Sequence, residues 1–153
     1  MSTQKSILVA TDFSACSDKG LHYAFELAGA LDAQVHLVHV YSLQGMLEAS
    51  APTHEAIEDA EAFAERKLRE AAQPFGACGR VGAVRAYMGE PAHAILSAAA
   101  DLDADLIVVG THGRRGLRRL VLGSVAESVV RQAACPVIVV RGERRDRERS
   151  SAA

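Results

Sequence analysis

No stretch of this sequence approaches the ~20 consecutive apolar residues of a membrane-spanning helix, and Met1 to Lys5 is too short and too polar for a signal peptide. A cytoplasmic protein without membrane contact is expected. Neither charge is in excess: 17 Lys and Arg stand against 19 Asp and Glu, a net charge of -2. Nothing therefore draws the chain as a whole to nucleic acid or to a lipid surface. The three cysteines, Cys16, Cys78 and Cys135, are odd in number, far apart and without a Cys-x-x-Cys pair. That excludes a disulfide framework and leaves reduced, mostly packed thiols as the expectation. Two phosphate fingerprints are also missing, because no lysine follows Gly123 as a P-loop requires and no Gly-x-Gly-x-x-Gly marks a dinucleotide turn. Asp101, Asp103 and Asp105 imitate the opening of a calcium loop, yet Leu106 occupies the place of the required glycine and His112 that of the closing glutamate.

What is present is a chain of 153 residues, 49% of them hydrophobic, which is one domain's worth with enough apolar material for a core between helices and sheet. Ser6 to Ala10 predicts a first strand ending at Thr11-Asp12-Phe13-Ser14. Leu21, Ala24, Phe25, Ala28 and Leu31 then recur at helical spacing behind Ser14 or Ser17 as cap. Gln34 to Tyr41 predicts a second strand; its His36 and His39 lie an odd number of residues apart, so they face opposite ways and cannot chelate one ion together. Ser42 to Pro52 predicts a loop, and Thr53 caps a long helix reaching about Gln73, acidic early and basic late in keeping with the helix dipole. After a break at Pro74 to Gly79, Arg80 to Met88 predicts a third strand whose charge and glycine fit an outer place in the sheet. Gly89-Glu90-Pro91 opens the next helix, with Ile95, Leu96, Ala99 and Leu102 turned inward. A last helix from Ser124 to about Ala133 precedes a final strand, Val137 to Arg141. Residues 1–142 thus form the domain, and 143–153 a charged tail expected to be disordered.

The most informative stretch runs from Asp105 to Ser124. Leu106 to Val109 read as a buried parallel strand that stops at Gly110. Gly113 follows, then nine residues, then Gly123-Ser124 opening an apolar-periodic run. Glycines in such places allow positive φ and let backbone N–H groups approach an anion, and Ser124 with Glu127 matches a capping box at a helix start that would favour phosphate. A phosphate cradle is the expectation. The plainer alternative is that these glycines only turn the chain and Ser124 only caps a helix.

The spacing Gly110-x2-Gly113-x9-Gly123-Ser124, with Ile7-Leu8-Val9-Ala10-Thr11-Asp12-Phe13-Ser14 and Cys135-Pro136-Val137-Ile138-Val139-Val140, strongly resembles the universal stress protein family over roughly residues 5 to 142, and its glycine pattern looks like that of the ATP-binding branch. The resemblance implies a Rossmann-like α/β three-layer sandwich, a five-stranded parallel sheet in the order 3-2-1-4-5 with helices on both faces. It further implies that Asp12 bonds the ribose hydroxyls, that backbone groups at Ala10, Thr11, Val40 and Val109 hold adenine and sugar, and that Gly110, Gly113, Arg114, Gly123, Ser124 and Val125 take the ribose and phosphates of ATP, with room for Mg²⁺ or Mn²⁺. A stress-response or regulatory role follows from the same resemblance.

Catalysis is not expected to be fast. Phosphoryl transfer wants a positioned base and fixed metal ligands; no Walker-B-like acid or lysine can be read, and His112 alone is a weak base candidate. Slow or absent hydrolysis is expected, with no catalytic residue assigned. Two other classes remain open: a nucleotide-free dimeric interaction module of the same fold, and a flavin or redox carrier on a similar layered fold. Val137, Ile138, Val139 and Val140 predict an apolar edge strand through which a homodimer would form.

Overall fold

The computed structural model describes residues 4–42, 52–111 and 122–142. Five strands alternate with helices in the order β1 (Lys5–Ala10), α1 (Ala15–Leu31), β2 (Ala33–Tyr41), α2 (His54–Ala72), β3 (Val81–Met88), α3 (Pro91–Asp101), β4 (Leu106–Gly110), α4 (Ser124–Gln132) and β5 (Val137–Val140). The strands form one sheet in the order β3-β2-β1-β4-β5, and every pairing is parallel. The fold expected from the sequence is therefore the fold found. The 42–52 loop and the 143–153 tail fall largely or wholly outside the described residues. No helix among the described residues is long and apolar enough to cross a membrane.

The alternation of side chains along each strand sorts the core into two layers. Ile7, Val9, Val35, Leu37 and Val108 face Leu21, Ala24, Phe25 and Ala28 of α1 and Leu68 and Ala72 of α2. Leu8, Val38, Ile107 and Val109 face Ala92, Ile95, Ala98 and Ala99 of α3 and Ala126 and Val129 of α4. Residues of β1 and β4 are apolar on both faces because both faces are covered.

The caps follow local chemistry. Ser14 and Thr53 sit in extended backbone and accept the N–H of Ser17 and Ala56, and Glu90 accepts those of Ala92 and His93 ahead of Pro91. The break after α2 is a 3-10 turn, Gln73–Cys78, whose Phe75 ring stacks on Phe25 with centroids 4.0 Å apart. Leu31, the last residue of α1, is exposed although it shares the helical spacing of the buried face, and of the thiols expected to be mostly packed Cys78 is exposed while Cys16 and Cys135 are half-buried.

The β2–β3 ladder carries one irregular rung. Between Val35 and Leu37 the register shifts, and there the Nδ1 of His36 accepts the backbone N–H of Ala83 at 2.8 Å. The ring has space only because residue 82 is glycine: a Cβ there would lie 2.5 Å from Nδ1. Burial, then the nearby Arg85 charge, holds the imidazole below its ordinary pKa, in keeping with an Nδ1 that acts as acceptor.

Candidate functional site

The strand order reverses between β1 and β4. After β1 the chain leaves toward the α1 layer, and after β4 it reaches α4 on the opposite layer, so the two exits part and open a crevice at the strands' carboxyl ends. Val9 lies opposite Val108, and one step further along the same register Ala10 comes beside Val109. Ala10 also lies opposite Val38 on β2, two residues before Val40. Ala10, Val40, Val109 and Val125 all pack on or within the apolar α3–α4 layer, Ala10, Val40 and Val109 at the carboxyl ends of their strands.

One rim is the segment after β1. Thr11 is buried; its N–H donates to the Val38 carbonyl at 2.9 Å, and its hydroxyl shares a hydrogen bond with Ser17 Oγ at 3.1 Å while accepting the Phe13 N–H at 3.0 Å. Asp12 accepts the Ser14 N–H on Oδ1 at 3.0 Å, which turns the chain into the α1 cap. Burial raises the Asp12 pKa, but hydrogen bonds from Ser14, then Ser17, outweigh it, and the carboxyl titrates below its ordinary value. Asp12 is thus an anion at neutral pH. Phe13 adopts φ 63°, a left-handed conformation that costs on the order of 1–3 kcal/mol in a bulky residue.

The other rim is the end of β4. Thr111 is buried, its N–H donates to the Val140 carbonyl at 2.9 Å, and its carbonyl accepts the Gly123 N–H at 2.7 Å. Gly123 is therefore fixed against the end of the strand, and α4 starts at the crevice with its first N–H groups there. Beneath lies Cys16, whose Sγ donates to the Val140 carbonyl at 3.3 Å.

Three details differ from the sequence reading. Gly110 and Gly123 are not among the positive-φ residues, and Gly123 has φ −59°. Gly110 instead serves close approach, since a Cβ there would stand 3.0 Å from Cys16 Sγ. The capping box does not form: Gly123 is the N-cap without a side-chain bond, Ser124 is the first helical residue and exposed, and Glu127 pairs with Arg131 at 2.8 Å one turn on. Standing one position too late for a cap, Ser124 is exposed at the first turn of α4. Gly113, Arg114 and His112 lie outside the described residues.

The structure thus brings together Ala10, Thr11, Asp12, Val40, Val109, Gly110, Gly123, Ser124 and Val125 around one crevice. It adds Phe13, Cys16, Ser17, His39 and Thr111, which sequence reasoning did not place at the site. Thr111 had a usable signal, a hydroxyl residue directly after the strand-ending glycine; the roles of Cys16 and His39 depend on contacts across the fold and had none. Among the described residues no group of three His, Cys, Asp or Glu side chains is placed to hold a metal ion.

A parallel 3-2-1-4-5 sheet with an acidic rim after β1 and a glycine rim after β4 defines a Rossmann-like α/β protein with a crevice at its switch point. The chain belongs to the universal stress protein family, whose model matches residues 4–141. It is 32% identical over 147 residues to universal stress protein MJ0531 of Methanocaldococcus jannaschii, covering 93% of this chain and 85% of that one. It is 35% identical over 144 residues to universal stress protein YxiE of Bacillus subtilis, covering 88% and 97%. Among solved structures, the protein MJ0577 superposes with a TM-score of 0.81 at 27% identity, over 92% of this chain and 97% of that one. A universal stress protein solved with cAMP (TM-score 0.64, 26% identity, 92% and 98% covered) and one from Archaeoglobus fulgidus solved with dAMP (TM-score 0.64, 26% identity, 92% and 99% covered) share the fold.

Proposed function

We propose that this protein binds an adenine nucleotide, ATP, in the crevice between β1 and β4, as a regulatory module of the stress response. The observation that carries the reading is the convergence at the switch point of an ionised Asp12 on one rim with Gly110, Thr111 and Gly123 on the other, above an apolar wall of Ala10, Val40 and Val109. A carboxylate suits ribose hydroxyls, the apolar wall suits a purine face, and the start of α4 suits phosphate. The relatives solved with cAMP and dAMP support an adenine ligand.

In this reading Asp12, Thr11 and the backbone at Val40 and Val109 hold the nucleoside, and Gly110, Gly123, Ser124 and Val125, together with Gly113 and Arg114, take the phosphates. Mg²⁺ or Mn²⁺, when present, neutralises phosphate charge and supplies no protein-held catalytic centre. Slow or absent hydrolysis goes with this reading, because the sequence offers no Walker-B-like acid or P-loop lysine for phosphoryl transfer. Mass spectrometry of nucleotide released on denaturing the freshly purified protein tests the reading, with a melting curve measured with and without ATP. An ATP-dependent rise in melting temperature is expected; no released nucleotide and no shift would leave the nucleotide-free interaction module. That second reading draws on one observation, the four half-buried aliphatic residues of β5 at the sheet's edge, which we also take as the seam of a homodimer.

A further inference from the structure

We propose that Phe13, which the ligand need not touch, is a positioning residue that gives the crevice its preference for a sugar bearing free hydroxyls; the proposal rests on the reading that Asp12 takes the ribose. Asp12 is bracketed by two residues held unusually firmly. On its amino side, Thr11 is gripped at both polar ends: its hydroxyl lies between Ser17 Oγ and the Phe13 N–H, and its carbonyl accepts from His39 Nδ1 at 2.7 Å. Because the partner is a carbonyl, His39 must carry its proton on Nδ1. On the carboxyl side, Phe13 stays at φ 63°, where a β-carbon is disfavoured, and its ring packs against the His39 ring with centroids 4.4 Å apart and planes tilted by 37°.

His39 therefore holds both neighbours of Asp12 at once, one through a hydrogen bond and the other through its ring face. Strained non-glycine backbone persists only where the surroundings over-determine it, and here ring stacking, the Thr11 hydroxyl and the adjoining α1 core together do so. If residue 13 relaxed to negative φ, the peptide after Asp12 would rotate and the Asp12–Ser14 turn would open, moving the carboxylate away from the sugar. Phe13 also packs against the α1 core, so a purely structural role is the rival explanation. The two differ in what they do to selectivity. A structural defect weakens every ligand, whereas a misplaced Asp12 affects only ligands with hydroxyls to read.

The experiment measures binding of ATP and of 2′,3′-dideoxy-ATP, which lacks both hydroxyls, to the full chain and to Phe13→Ala and Phe13→Tyr. The unmodified protein is expected to prefer ATP. Phe13→Ala is expected to lose about tenfold in ATP affinity, the size of one lost hydrogen bond to a charged group, with less than about a twofold change for the dideoxy nucleotide. Phe13→Tyr, which keeps the ring, retains the preference. Should Phe13→Ala melt below the assay temperature, Phe13→Gly replaces it, since glycine accepts φ 63° without strain but does not hold it; the same loss of preference is expected. A parallel loss of both ligands, an unchanged ratio in the Ala or Gly variant, or a Tyr variant as indifferent as Ala would overturn the proposal. Equal binding of both nucleotides by the unmodified protein would overturn it while leaving nucleotide binding intact, and binding of neither would overturn both.

Discussion

Gly123 donates its backbone N–H to the carbonyl of Thr111 at 2.7 Å, so the start of α4 is tied to the end of β4 across twelve positions of sequence. The bond places a helix start beside a strand end at the sheet's switch point.

Gly123→Val tests the phosphate role of that junction. Backbone at φ −59° and ψ 153° accepts valine, and exchanging the N-cap for an aliphatic residue costs about 1 kcal/mol. The variant should stay folded by circular dichroism and lose ATP binding in calorimetry. Unchanged affinity would show that phosphates do not approach Gly123.

Asp12→Asn tests the carboxylate. Its folded pKa is depressed below the ordinary 3.8, so its stabilising contribution is present above that pH and is lost as pH falls through the lower folded value. The Asn variant should melt below the unmodified protein at pH 7, with the gap narrowing as pH falls below 3.8, and should bind ATP more weakly at neutral pH. A gap independent of pH would refute the ionised-carboxylate account.

His36 predicts a second pH effect. Its folded pKa lies below 6.5, so the unfolded chain takes up a proton first as pH falls; stability is full above 6.5 and declines from there toward the folded value. His36→Asn, which keeps an acceptor for the Ala83 N–H without titrating, should flatten melting temperature between pH 7.5 and 5. Gly82→Ala should lower stability by about 1–3 kcal/mol, since its Cβ would meet the imidazole at 2.5 Å.

Gly20→Ala should stabilise. Gly20 is a buried helical residue whose added Cβ would find Val108 and Val140 side chains at 3.7 Å, ordinary contact, so the helical disadvantage of glycine is removed without a clash. A gain of about 0.5–1 kcal/mol in urea unfolding is expected; destabilisation would mean that α1 cannot accommodate even that contact.

Val139→Pro tests the proposed dimer. The Ile107 and Thr111 N–H groups donate to the Pro136 and Val140 carbonyls, so alternate residues of β5 face β4 and Val139 turns its N–H to the open edge. Proline there should spare the β4–β5 ladder and shift the protein toward monomer in light scattering. A monomeric unmodified protein at micromolar concentration would rule out this seam.

The architecture was legible because each strand is a short aliphatic run and each helix carries its own start signal: Ser14, Thr53 and Pro91 all act where residue chemistry places them. The crevice was legible at Asp12, Gly110 and Gly123 because strand ends and glycines are local features. Ser124 misled because a capping box and a helix beginning one residue later share the same letters. Gly110 ends β4 as expected but not at positive φ, and the close packing of Cys16 against it comes from a residue remote in sequence. The Thr11–His39 and His36–Ala83 bonds join strands whose register no single segment encodes.

Among the described residues the strand β5 has one side satisfied by β4 and one side open, which gives it a valence of one. A copy related by a two-fold axis would use that valence on both partners at the same moment, leaving each sheet bounded outside by β3 with its exposed Arg85. Association of this kind terminates at two chains instead of growing into a fibre. It would also leave both crevices clear, because the seam would run along an edge while the crevices open at the strand ends.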